Sequence, residues 1–252
     1  MARVHYDVTF SPVIIALDVS GSMDSNDSKN RPLDAAARLI PALAELGRQH
    51  PTVDEKTRVG MITFSSDANV VLPIGKTGCL SNIDSHKFTL EARGLTYYGK
   101  AFDLIRAELE QLPARIFTQE HLEGLRVGFH RPVVFFITDG NPNDDSATRE
   151  ASWKALTGPD FEFSPHFVTC GVGDQVTPSK LAPYRNRRGR VLIAKDTASV
   201  AESLTELVEL LSATIIAING AAQDENAPIY DETALSENFD VLDADDFPYD
   251  VL

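Results

Sequence analysis

The segment Val13-Ile14-Ile15-Ala16-Leu17-Asp18-Val19 is apolar at all but one position and only seven residues long. A continuous short apolar run, as opposed to an alternating one, requires cover on both faces, which is the situation of a central strand in a parallel sheet. Runs at Arg58–Phe64, Val70–Leu72, Val133–Thr138, Phe167–Val172 and Val191–Ala194 bring the expected strands to six.

Helical spacing fills the intervals. Leu33, Ala36, Ala37, Ile40, Leu43 and Gly47 recur on one face, with Pro32 near the start, where a missing N–H costs little. Tyr98, Phe102, Ile105, Leu109 and Leu112 form a second stripe, and Pro113 is expected to stop that helix. Ser146–Leu156 is a third helical segment. In the last, Ser199 and Glu202 make a capping box before Val200, Leu204, Leu207, Val208, Leu211 and Ile215. Strands alternating with helices predict an α/β fold of Rossmann-like, doubly wound type: a mostly parallel six-stranded sheet with helices on both faces. The domain is expected to occupy residues 1–220, followed by an acidic C-terminal tail, 221–252.

Charge and composition narrow the function. The net charge is −14, which argues against nucleic acid or an anionic membrane as partner. Much of it lies beyond Ala221, where there is no Lys or Arg. The apolar residues there (Phe239, Leu242, Phe247, Tyr249, Leu252) follow no helix or strand period and predict a tail that is mobile or orders on a partner. Cys79 and Cys170 form neither a CxxC pair nor a zinc spacing and are expected to be reduced thiols. With no apolar signal core at the N-terminus and no run long enough to span a bilayer, a cytoplasmic location is expected.

Ligands of open α/β sheets bind at the C-terminal strand ends. After the first strand stands Asp18-Val19-Ser20-Gly21-Ser22; after Val133–Ile137 stands Thr138-Asp139-Gly140; Thr96 lies in the loop Gly94-Leu95-Thr96-Tyr97 before a helix. Asp18, Ser20, Ser22, Thr96 and Asp139 together offer two carboxylates and three hydroxyls and no His or Cys, a set suited to a hard cation. Mg²⁺, bound by oxygen at about 2.0–2.1 Å, is the expected ion, with Mn²⁺ or Ca²⁺ as alternatives. Neutral hydroxyls leave positive charge on the metal, so the site would gain by accepting a carboxylate from outside. Gly21 is expected to permit a close approach or an unusual turn. Asp18→Ala is expected to alter a surface pocket, leaving the core intact.

These motifs, in this order, resemble the von Willebrand factor A domain. The resemblance covers Val4 to Gly220 and maps that family's metal-ion-dependent adhesion site onto Asp18, Ser20, Ser22, Thr96 and Asp139. It implies that Ser20, Ser22 and Thr96 contact the metal directly, that Asp18 and Asp139 act through water, and that ligand binding exchanges the Thr96 and Asp139 contacts. The stretches Val168–Asp174 and Val191–Asp196 are similar to the bacterial cytosolic, tellurite-resistance-associated branch. That branch implies an adaptor beside a phosphatase, kinase or ATPase in a stress or conflict system.

Other readings compete. Asp, Ser and Thr commonly cap helices and turns, and for Thr96 alone a cap is the simpler account. A phosphate-ester hydrolase would also place an Asp after its first strand, but the second acid such chemistry uses two residues on is Ser20 here. A structural subunit with a vestigial site is the third possibility. Gly75-Lys76-Thr77 lacks the upstream glycine of a phosphate loop. Arg185, Arg187, Arg188 and Arg190 are either a solvated loop or a contact for an acidic partner. The acidic tail itself is an expected competitor for the site, against the alternative that Asp245–Leu252 is a docking peptide.

Overall fold

β1 (Val8–Asp18) is the strand around which the sheet is arranged. The computed structural model describes residues 6–23, 39–75, 90–120, 122–172, 176–186, 189–194, 209–210, 212–216 and 239–242. β1 pairs in parallel with β2 (Thr57–Phe64) on one side and β5 (Val133–Thr138) on the other. Beyond β5 lie β6 (His166–Gly171) and β7 (Arg190–Ala194), also parallel. Beyond β2, β3 (Ala68–Leu72) closes one edge antiparallel.

Alternate residues of β1 point to opposite faces. Val13, Ile15 and Leu17 meet Leu43, Ala44 and Leu46 of α1 (Leu39–Gln49) and Val53 of α2 (Pro51–Lys56), together with Leu210 and Ile215. Ile14 and Ala16 face α3 (Tyr98–Glu120) and Leu156 of α4 (Ser146–Thr157). Both faces are thus covered, as the continuous apolar runs require. The α3 side is aromatic: Phe64 and Phe136 stack at 4.7 Å, and Tyr98 meets Phe136 edge-on at 4.9 Å.

All six expected strands are present, and two more join them, making an eight-stranded sheet among the described residues. β4 (Val127–Phe129) pairs with the N-terminal part of β1. β8 (Phe239–Leu242) pairs antiparallel with β7, Phe239 opposite Ala194 and Leu242 opposite Val191. The stretch beyond Ala221 therefore contributes a strand where none was expected. The physical reason is edge pairing: β7 offers a row of backbone groups, and Phe239 buries its ring in the core.

The expected stop at Pro113 is not found; α3 continues through it to Glu120. An interior proline costs about 3 kcal/mol. Here the buried stripe continues past it to Ile116. Arg115 also reaches back across the proline, donating from Nη2 to Glu108 Oε1 at 2.7 Å. Core burial of Leu112 and Ile116 on either side of the proline, and this ion pair within the helix, offset the lost hydrogen bond.

Pro32, Leu33, Ala36, Ala37, Lys76, Thr77, Cys79, Arg187, Arg188, the Ser199–Glu202 capping box and the stripe positions Val200, Leu204, Leu207, Val208 and Leu211 lie outside the described residues. Among those described, no helix is long and apolar enough to cross a membrane.

Candidate metal centre

Asp18 is the last residue of β1, level with Phe64 of β2. It is fully buried, which corrects the expectation of a surface pocket. A polar group in that position needs partners, and it has them: Ser20 N donates to Oδ1 at 2.8 Å and Thr138 Oγ1 donates to Oδ2 at 2.6 Å. A short 3₁₀ turn, Gly21–Met23, follows and is pinned by the buried Met23 side chain and by Met23 N donating to Ser20 O. The turn brings Ser20 Oγ and Ser22 Oγ to 3.1 Å, and Ser22 Oγ donates to Asp139 Oδ1 at 2.8 Å. With the Ser22 proton committed to Asp139, Ser20 is the donor to Ser22. Gly21 itself needs no special backbone: it is not among the positive-φ glycines, and an added Cβ would stand 3.6 Å from Gly94 O, an ordinary contact. The turn is made by Met23 and the Ser20 carbonyl, which corrects the expected role of Gly21.

Thr96 arrives on a loop held from several directions. Gly94 has φ +80°, the left-handed region that favours glycine, and a Cβ there would lie 2.7 Å from Ser66 Oγ. Ser66 Oγ accepts from Leu95 N, Ser65 O accepts from Tyr97 N, and Val19 O accepts from Arg93 N. Thr96 N donates to Asn143 Oδ1 at 3.0 Å, and Asn143 N donates to Thr96 O at 2.7 Å. The first turn of α3 is capped from outside, Gly99 N donating to Asp144 Oδ2 at 2.7 Å. The capping duty weighed for Thr96 is thus performed by Asp144.

Gly140 shows how closely the parts meet. A Cβ on it would stand 3.3 Å from Thr96 Oγ1 and 3.8 Å from Ser22 Oγ. The cradle between the Thr96 loop and the serine turn is therefore one that a larger residue would crowd. All five expected site residues lie at the C-terminal edge of the sheet; Asp18, Ser20, Thr96 and Asp139 are buried and Ser22 is exposed.

The electrostatics suit a cation. Burial drives the Asp18 carboxyl above its ordinary pKa, against the lowering effect of hydrogen bonds from Thr138 and Ser20. A positive ion alongside would reverse that direction. Among the described residues there is no cluster of three or more His, Cys, Asp or Glu. A site here would rest on two carboxylates supplemented by hydroxyls, an all-oxygen set that fits Mg²⁺. Asp18, Ser20, Ser22, Thr96 and Asp139 are the residues that could hold it.

Sequence reasoning missed several supporting groups. Thr138 stood in the Thr-Asp-Gly triplet without a role, yet its hydroxyl holds Asp18. Tyr98 is a packing residue as expected, but its hydroxyl also lies 2.8 Å from Gly140 O and 3.1 Å from Thr138 Oγ1. Burial pushes that phenol far above its usual pKa, so it stays a neutral donor. Ser66, Asn143 and Asp144 gave no sequence signal.

Solved structures share the architecture. A von Willebrand factor type A protein from Catenulispora acidiphila is 19% identical, with a TM-score of 0.54, over 81% of this chain and 43% of that one. Proximal thread matrix protein 1 of the mussel byssus is 18% identical, with a TM-score of 0.59, over 83% and 48%. The pilus adhesin SpaC from Lactobacillus rhamnosus GG is 14% identical, with a TM-score of 0.60, over 84% and 31%. At such identities the likeness is one of fold, and this chain spans less than half the length of each. No curated protein matches the sequence. Residues 13–141, just over half of the chain and carrying all five candidate residues, match the von Willebrand factor type A domain, and the chain belongs to that family.

Proposed function

We propose that the chain is a Mg²⁺-dependent protein-binding module that recognises an acidic group on a partner, and that Asp18, Ser20, Ser22, Thr96 and Asp139 form its metal-ion-dependent adhesion site. The observation that carries this reading is the polar relay Ser20–Ser22–Asp139 facing Thr96 across Gly140. Bound there, a divalent cation supplies positive charge and a coordination position that a partner's carboxylate can fill. The chain's own groups do the rest. Asp18 fixes the Ser20 backbone, Thr138 fixes Asp18, and Asn143 fixes Thr96. Mn²⁺ and Ca²⁺ are the alternative ions.

The role is binding and not catalysis, because position 20 offers a hydroxyl where a phosphate-ester hydrolase would want a second acid. The likeness to the tellurite-resistance-associated branch favours a cytoplasmic adaptor in a bacterial stress or conflict system. A phosphatase, kinase or ATPase is then the expected partner.

The acidic segment beyond Ala221 remains a candidate competitor, with one refinement. Phe239 lies opposite Ala194, at the sheet edge that bears Asp18, whereas Leu242 lies toward the other end. Carboxylates before Phe239, such as Glu237, are the ones to test. Replacing Asp231, Glu232 and Glu237 by amides leaves β8 in place, as truncation after Gly220 would not. Tighter binding of an acidic ligand by that variant supports competition; unchanged affinity rejects it.

The function is tested by capture from native lysate with excess Mg²⁺ or chelator, using wild type and Ser22→Ala. A partner retained only by wild type in Mg²⁺ is the expected result. Capture indifferent to both changes removes the metal from recognition.

A further inference from the structure

Thr96 and Asp139 belong to different loops, and one residue ties those loops together, through its side chain and its backbone. Asn143 accepts the Thr96 N–H on Oδ1 at 3.0 Å and returns its own N–H to Thr96 O at 2.7 Å. Both polar groups of the Thr96 backbone are therefore held by a residue four positions after Asp139. Asp144 extends the clasp, accepting from Gly99 N at 2.7 Å and from Arg149 Nη1 at 2.9 Å. Asp144 and Arg149 are both largely buried, so this pair is a fixed part of the scaffold and not a solvated contact.

We propose that Asn143 is a positioning residue of the metal site, setting affinity for the ion by holding the Thr96 hydroxyl over Gly140 before any ion arrives. The inference rests on the metal-binding reading above. Its physical basis is preorganisation: a ligand already in place loses no conformational freedom on binding, and groups that orient metal ligands influence affinity nearly as much as the ligands. Thr96 has no neighbouring strand to fix it as Asp18 has, so the orienting group must come from elsewhere in the chain. Asn143 supplies one side-chain and one backbone hydrogen bond to Thr96 itself, whereas the Ser66 side chain supplies one that acts on Leu95.

The test is titration of the metal-free chain with Mg²⁺ by calorimetry, alongside melting in chelator. Asn143→Ala is expected to weaken Mg²⁺ binding about 10–100-fold, in the range typical of groups that orient metal ligands. Both variants keep the backbone N–H to Thr96 O, but Asn143→Asp also keeps the side-chain acceptor and is expected to bind close to wild type. In a Thr96→Ala background, Asn143→Ala is expected to add little, because its effect passes through the Thr96 hydroxyl. Wild-type affinity in Asn143→Ala, or full additivity with Thr96→Ala, overturns the proposal provided that Ser22→Ala has lost affinity. If Ser22→Ala also binds as wild type, the metal reading itself fails and takes this inference with it. Hydrogen exchange on the wild-type chain gives a measurement independent of any variant's folding. Protected Thr96 and Asn143 amides in chelator support a clasp formed before the metal, and rapid exchange of Thr96 overturns it.

Discussion

The two arms of the candidate site are built in different ways. Asp18, Ser20 and Ser22 are carried on β1 and the turn after it, so the central strand of the sheet fixes where they begin. Buried apolar residues on both sides, Leu17 and Met23, anchor that arm. Thr96 stands at the end of a loop whose position depends on side chains from two other loops: Ser66 after β2, and Asn143 and Asp144 after β5. One arm is rigid because of the element that carries it, the other because of partners it recruits. The first should therefore resist perturbation of distant residues, and the second should not.

The largest effect is expected on the strand arm itself. Asp18→Ala should abolish Mg²⁺ binding in a calorimetric titration. It should also cost about 1–3 kcal/mol of stability, the penalty for leaving buried donors such as the Thr138 hydroxyl and Ser20 N–H without an acceptor. A lowered melting temperature in chelator would register that second effect. Gly94→Ala should act next most strongly, and on the loop arm. A non-glycine residue in the left-handed region costs about 1–2 kcal/mol, and the added Cβ would meet Ser66 Oγ at 2.7 Å. Both the melting temperature and Mg²⁺ affinity should fall. Equal affinity with lowered stability would show that the loop arm does not depend on its backbone geometry, and the comparison between arms would lose its force. Ser66→Ala is the mildest: it removes one exposed hydrogen bond, worth about 0.5 kcal/mol at the low end of the usual range. Urea melts should register little, and metal affinity should drop only slightly because Asn143 still holds Thr96.

The same contrast explains what the sequence disclosed. The strand arm was legible because its information is local: a continuous apolar run forces a central strand, and Asp18-Val19-Ser20-Gly21-Ser22 follows it directly. Thr96 and Asp139 were legible as residue types on correctly placed loops. Their supports were not, since Asn143 lies 47 residues from Thr96 and Ser66 lies 29 from Leu95. Hydrogen bonds across such separations leave no periodicity. β4 and β8 were hidden for a related reason. Each has only three or four residues, too few to display a period, and each depends on the edge or neighbour it pairs with. Pro113 misled because its local cost is real, while what offsets it is the core burial of Ile116 and an Arg115–Glu108 pair spanning the proline within the helix.

The central claim is that these five oxygen-bearing residues bind a divalent cation, and Ser22 gives the most direct access to it. Ser22 is exposed, and its hydrogen bonds run to Ser20 and Asp139 within the site, so Ser22→Ala tests the metal without disturbing the core. Calorimetric titration of the metal-free chain with Mg²⁺ should show one saturable site in wild type and a markedly weaker one in Ser22→Ala, with both proteins melting alike in chelator. Identical isotherms for the two, or no saturable binding by wild type, would contradict the account.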